Sequence, residues 1–269
     1  MRRPVTVTAA SAIALLGAGA VGLRTLIARQ AAIARRRIGK PLGEQALDAD
    51  RVWRRKKHPG PPVELLLLGD SIAAGLGAAH RRDTLGARLA KGIARAAGRP
   101  VRLRTEAVVG SETSALVGQL AALPEGYRPD AAVIVVGGND VTHRIPASRS
   151  AGQLEEIVRA LRGSGIPVVV GTCPDLGTLR AIPQPLRALA ARSSRQLAAA
   201  QAAAVHRSGG RVVALARAVG PVFAERPDEM FSVDRFHPSA LGYRRTAEAL
   251  LPAVLAALEV APVVVRAER

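Results

Sequence analysis

Asp234-Arg235-Phe236-His237 sets a carboxylate three residues before an imidazole, in a turn-like stretch closed by Pro238. An aspartate at that spacing can hold one ring nitrogen of the histidine as a donor and leave the other free to take a proton. Nucleophilic catalysis also needs a nucleophile and donors for a developing oxyanion. Three other islands can supply them: Gly69-Asp70-Ser71, Gly110, and Gly137-Gly138-Asn139-Asp140. Ser71 offers a hydroxyl at a turn that Gly69 relieves, the Asn139 amide can donate to an oxyanion, and Gly110 can present a backbone N–H. Taken singly, each has a plainer use. Ser71 can cap a helix, Asn139 can close an Asx turn, and Gly110 can be an ordinary turn residue. Asp140 reads as a residue that fixes its loop.

Among the five histidines only His237 has an aspartate at an orienting spacing. His58 lies in a basic arm and His206 at a helix end, whereas His80 and His143 fall in loops that can border a pocket. Cys173 is the single cysteine, which excludes an intrachain disulfide; it reads as a small residue packed at a strand end. No CxxC or His/Cys cluster marks a metal site, and the chemistry calls for no cofactor.

These islands need elements to position them. Apolar runs of strand length occur at Val63–Leu68, Val101–Val109, Ala131–Val136, Ile166–Gly171 and Arg211–Leu215. Helical stretches lie between and after them, at Thr84–Ala97, Thr113–Leu123, Ala151–Arg162, Leu186–Arg207 and Ser239 to about Leu258, the last interrupted by Pro252. Buried strands alternating with helices imply right-handed crossovers. The fold class is therefore α/β, a three-layer α/β/α sandwich on a five-stranded parallel sheet. In such sheets ligands bind beyond the carboxyl ends of the strands. Ser71, Gly110, Asn139, and Asp234 with His237 all follow strands, so they converge on one edge. Pocket walls are expected from the loops at 72–83, 140–150 and 173–185.

The composition is globular: 269 residues, 48% hydrophobic and 22% charged, enough for one domain and an appendage. Aromatics are only 2%, so the core must be Ala, Val and Leu, and stacking platforms for single-stranded nucleic acid are excluded. The net charge of +18 is unevenly placed, with 13 Lys/Arg against three acids in residues 1–57. That basic flank beside an apolar segment points to anionic lipid headgroups rather than to nucleic acid. Residues 4–23 carry no charge and are long enough to span a bilayer at about 1.5 Å per residue. The domains expected are thus a signal or transmembrane segment at 1–29, a basic linker arm at 30–61, the folded domain at 62–259 and a tail at 260–269. The charge bias favours a cytoplasmic domain, whereas a signal peptide would put it outside.

In order and spacing, Gly69-Asp70-Ser71-Ile72, Gly110 in Val-Val-Gly-Ser-Glu-Thr, Gly137-Gly138-Asn139-Asp140 and Asp234-Arg235-Phe236-His237-Pro238 resemble the blocks of the SGNH hydrolases, also called the GDSL esterase/lipase family. Ile72 stands where the family name has Leu, and the Asn often seen upstream in the second block is missing. The N-terminal arm and Gly-Thr-Cys-Pro-Asp-Leu-Gly at 171–177 are similar to exported GDSL-type esterases of actinobacteria. The resemblance implies a flavodoxin-like SGNH fold, an envelope location (membrane-anchored or secreted), and a small-molecule, lipid or glycan ester as substrate. It makes Ser71 the nucleophile, His237 the base and then acid, Asp234 its orienter, and the Ser71 N–H, Gly110 N–H and Asn139 amide the oxyanion hole. The expected function is a serine esterase acting through an acyl-enzyme. The alternatives are an acyltransferase of the same build and a non-catalytic basic envelope or nucleic-acid-binding protein.

Overall fold

A strand buried on both faces must be apolar along its buried length, and in Val63–Gly69 only Glu64, near the start, departs from that. Leu65 and Leu67 face one layer of helices while Leu66 and Leu68 face the other, and all four are fully buried. Each such leucine contributes about 1.5–3 kcal/mol of burial free energy, so the run sits at the centre of the sheet.

The computed structural model describes residues 5–259. The chain opens with α1 (Val5–Ile38), followed by β1 (Val52–Trp53), β2 (Val63–Gly69), the one-turn helix α2 (Ser71–Ala74) and α3 (Leu85–Ala97). Next come β3 (Val101–Thr105), α4 (Leu116–Ala121), β4 (Ala131–Val135), α5 (Gly138–Thr142), α6 (Ala147–Gly163), β5 (Val168–Gly171) and α7 (Leu186–Arg207). After β6 (Arg211–Val213) stand three short helices, α8 (Leu215–Ala218), α9 (Gly220–Glu225) and α10 (Pro227–Met230), before α11 (Ala240–Ala257). The sheet order is β1-β3-β2-β4-β5-β6, with β2 to β6 parallel. One face is covered by α3 and α11 through residues such as Leu89, Ile93, Tyr243 and Leu250. The other is covered by α4, α6 and α7 through Leu116, Leu154, Leu161 and Val205. This is the three-layer α/β/α sandwich.

The sheet holds a sixth strand that the five-stranded expectation lacks. β1 pairs antiparallel with β3, Val52 opposite Arg102. Two residues between arginines make no apolar run, so periodicity could not find it. It is held instead by the Leu103 N–H donating to the Arg51 carbonyl (3.0 Å) and the Thr105 N–H donating to Asp50 Oδ2 (2.8 Å). Trp53 packs under Lys91, whose Nζ is 5.5 Å from the ring centroid. This strand lies inside the segment 30–61, the expected linker arm.

α1 likewise runs without a break across the expected boundary at residue 29. Gln30 is buried; its Oε1 accepts from the Leu186 N–H (2.9 Å) and its Nε2 donates to the Gln184 carbonyl. Ala34 joins Leu176, Leu179 and Ile182 in a small apolar cluster. Among the described residues no helix is long and apolar enough to cross a membrane. The expected signal, transmembrane helix and membrane anchor therefore gain no support. Residues 1–4, with Arg2 and Arg3, and the expected tail at 260–269 lie outside the described residues.

Helix ends are set by local side chains. The Thr84 hydroxyl accepts from the Ala87 N–H at the start of α3, and Ser239 accepts from the Gly242 N–H at the start of α11. α11 continues through Pro252 because Leu250, Val254 and Leu255 are buried on its packed face, and that burial outweighs the missing hydrogen bond.

Candidate active site

The first island sits where β2 ends against β4. Gly69 pairs with Val135, and the Gln119 side chain brackets it, accepting from its N–H and donating to its carbonyl, both at 2.8 Å. Its φ is +133°, and a Cβ there would lie 1.9 Å from the Val135 carbonyl oxygen. No side chain fits. Gly69→Ala is expected to destabilise the fold by on the order of 3 kcal/mol, through strain and overpacking together. Urea unfolding would show it; a change below about 1 kcal/mol would mean that the turn relaxes freely.

The helix that follows is capped by Asp70, whose Oδ1 accepts from the Ile72 N–H at 2.9 Å. Capping is thus done by the neighbour, and the Ser71 hydroxyl is left for another partner. That partner is His237, with Nε2 2.9 Å from Ser71 Oγ. On the other side of the ring, His237 Nδ1 is 2.5 Å from Asp234 Oδ2. Asp234 Oδ1 accepts in turn from the Phe236 and His237 N–H groups, both at 3.0 Å. Burial pushes the Asp234 carboxyl up, but the His237 ring and the two N–H donors outweigh it and hold the group below the usual carboxylate range. Ser71, His237 and Asp234 therefore form one hydrogen-bonded chain, 166 residues separating the first two. The Phe236 ring stands edge-on to the imidazole at 4.9 Å and limits its rotation. Tyr243 of α11, fully buried, donates to the Leu76 carbonyl at 2.6 Å and ties that helix to the loop after α2.

The second and third islands are laced together. The Asn139 Nδ2 donates to the Ser111 carbonyl at 2.9 Å. Asp140, fully buried, accepts from the Thr113 N–H (3.1 Å) and the Ser150 hydroxyl (2.6 Å), so it fixes the loop as expected from its type. Asn139 lines the same cavity as Ser71 and His237. Gly110 does not; it is an exposed turn residue with φ +85° and open space around it. The remaining histidines stand apart from the cavity. His143 bonds Glu112 on the surface (2.7 Å), and His80 and His206 are exposed. Cys173 is buried and its thiol is pushed far up by burial and by the nearby Asp70, Asp140 and Asp175, so it is inert.

Asp70 is the other buried acid of the cavity. Burial raises its pKa from 3.8 to about 6, against the N–H groups of Ile72, Gly138 and Gly137 and the His237 ring, which lower it. The sign follows from linkage. The folded state binds the proton more tightly than the unfolded chain, so stability falls as pH rises from about 4 to 6 and stays lowered above. The displacement amounts to ~3 kcal/mol at most. Asp70→Asn is expected to flatten this slope, gaining on wild type at pH 7.5 relative to pH 4. Urea titrations at the two pH values test it, and parallel curves for the two proteins would rule it out.

The cavity beside Ser71 has a volume of about 60 Å³. Pro174 to Leu179 wall it on one side, which is part of the expected loop 173–185, and Ile72 comes from the expected loop 72–83. The loop 140–150 contributes nothing. The opposite wall is Leu215, Val219, Phe223 and Phe231; of these only Leu215 has an expected place, as the end of the strand Arg211–Leu215, and it opens α8 instead. Their signal was present, since 215, 219 and 223 recur at helical spacing, but core residues show the same pattern.

Residues 67–245 match the GDSL-like Lipase/Acylhydrolase family. The chain is 41% identical over 266 residues to the GDSL-like esterase Rv1075c of Mycobacterium tuberculosis, covering 96% of this chain and 84% of that protein. Among solved structures it resembles the lipase/acylhydrolase from Enterococcus faecalis, with a TM-score of 0.59 and 22% identity over 74% of this chain and 98% of that one. TesA is similar in fold, with a TM-score of 0.58 and 22% identity over 72% and 99% of the two chains. The chain belongs to the GDSL-like lipase/acylhydrolase family, the SGNH hydrolases, and is a hydrolase acting on esters.

Proposed function

We propose that the protein is a serine esterase that opens carboxylic esters through an acyl-enzyme, with Ser71 as nucleophile, His237 as base and then acid, and Asp234 as the group that orients His237. The observation carrying this reading is the unbroken chain from Ser71 Oγ through both ring nitrogens to the Asp234 carboxylate. With Nδ1 donating to Asp234, Nε2 is free to take the Ser71 proton as Oγ attacks the acyl carbonyl. The Ser71 N–H and the Asn139 side-chain amide are the donors assigned to the resulting oxyanion. Each such donor contributes about 3 kcal/mol of transition-state stabilisation. The Gly110 N–H, the third donor that the resemblance implies, belongs to a residue that does not line this cavity. His237 then hands its proton to the departing alkoxide, and water, deprotonated by the same nitrogen, releases the acid.

The apolar walls give the acyl side its place. Leu176, Leu179, Val219 and Phe223 suit a hydrocarbon chain, and the small cavity volume favours a short one. A fluorophosphonate probe followed by peptide mass analysis tests the assignment. The label is expected on Ser71 alone; a labelled protein with unmodified Ser71 would refute it.

A further inference from the structure

A second opening lies behind the segment that carries His237. It is a groove of about 1000 Å³, and three arginines from three separate elements line it: Arg37 of α1, Arg180 beyond the cavity wall, and Arg235 between Asp234 and His237. Asp228 is the only acid on its walls. Some surface arginines meet carboxylates, as Arg88 does Asp83, Arg102 does Glu64 and Arg207 does Glu155, while others stand alone and apart from one another. Among the described residues none of the three groove arginines has such a partner within 4.0 Å. Arg180 donates to the Ala224 carbonyl (2.9 Å) and Arg37 to the Ala181 carbonyl (3.5 Å), which leaves most of the five N–H donors of each guanidinium unused.

Arg235 adds a second, independent observation. Its φ is +56°, in the left-handed region that glycine or asparagine occupies at lower cost. The backbone of this turn does not ask for an arginine. The turn points Asp234 and His237 toward Ser71 and leaves Arg235 exposed on the groove. Three like charges gathered around one concavity repel each other unless a counter-charge joins them. A group with several oxygens and at least one full negative charge satisfies forked guanidinium donors best.

We propose that this groove is an anion site that takes a phosphate group through Arg37, Arg180 and Arg235, carried by a small phosphorylated molecule or by an anionic lipid headgroup. The site is distinct from the ester-cleaving cavity, with which it shares Phe231 as a common wall. It also gives the basic arm a defined role, since Arg37 comes from that arm.

The test uses the full chain. Calorimetric titration with inorganic phosphate and with glycerol phosphate is run beside co-sedimentation with phosphatidylglycerol and with phosphatidylcholine vesicles, all at ~150 mM salt so that diffuse attraction is screened. Arg180→Gln and Arg37→Gln are each expected to weaken binding about tenfold or more, by loss of a charge-assisted contact. Arg192→Gln removes the same charge outside the groove and is expected to leave affinity within about twofold. Binding of the soluble phosphates without vesicle recruitment identifies a free phosphorylated ligand. Recruitment to phosphatidylglycerol but not phosphatidylcholine, lost in Arg180→Gln, identifies a headgroup. The proposal is overturned if wild type binds none of these probes, or if Arg192→Gln weakens binding as much as Arg180→Gln. Thermal melting and cleavage of a neutral ester by Arg180→Gln confirm that the variant is folded, and neither reading depends on the other.

Discussion

Ser71→Ala is expected to lower kcat toward a chromogenic acyl ester by about 10⁶-fold, the scale seen when a serine nucleophile with its own base is removed. His237 and Asp234 keep their 2.5 Å contact, the cavity keeps its walls, and the Asn139 amide keeps its place. Without Oγ there is nothing to acylate, so substrate binds and is not cleaved. KM is expected to change little, because the hydroxyl adds little to ground-state binding. The fold should hold, since α2 is capped by Asp70 and not by Ser71. Steady-state kinetics alongside a melting curve separate the two effects. Activity within tenfold of wild type in a well-folded variant would end the covalent reading.

Asp234→Asn is the second large effect, a loss of about 10⁴-fold in kcat near neutral pH, or about 5.5 kcal/mol of activation free energy. An asparagine fills the same volume and can still accept from the Phe236 and His237 N–H groups through its oxygen. Its amide, however, donates where the carboxylate accepted. Nδ1 must then be the bare nitrogen, and the proton moves to Nε2, which can no longer take one from Ser71. The wild-type carboxyl stays ionised through the mildly acidic range, because its pKa is held below the ordinary 3.8. The stability it contributes is therefore present above about pH 4 and lost only as pH falls through its lowered value. The variant should lose that acid-side dependence along with its activity. Retention of a tenth of wild-type kcat would show that His237 is oriented by something else.

Much of this was legible from residue types. Leu65–Leu68 and Ala131–Val136 read as central strands, since apolar runs of strand length bounded by Pro, Asp or Gly suit a sheet buried on both faces. Leu186–Arg207 was bounded by Pro185 on one side and by Ser208-Gly209-Gly210 on the other, and its helix ends there. The partners of Ser71 were legible because an orienting Asp and its His lie three residues apart, a local signal. The cavity wall was not. Leu215 and Phe223 sit on short helices of 4 and 6 residues, with Val219 between them, and their side chains look like any other core. β1 was hidden for the opposite reason: it is held by side-chain acceptors and a tryptophan at long range, and nothing in Arg51-Val-Trp-Arg announces it. Gly110 shows that an island can be in the right order and still sit off the wall, because a single glycine says only that a turn is near.

Gln30 grips the backbone at both Gln184 and Leu186, just past the segment that walls the cavity. A chain trimmed at residue 57 would lose that grip together with β1, and would uncover the Thr105 and Leu186 amides at once. Any fall in turnover by such a trimmed enzyme would then report a loosened scaffold, and it could not be used as evidence about where in the cell the intact enzyme works. Questions of address are better put to a protein whose first twenty residues alone are exchanged, with everything from Val21 onward left to hold the catalytic half in shape.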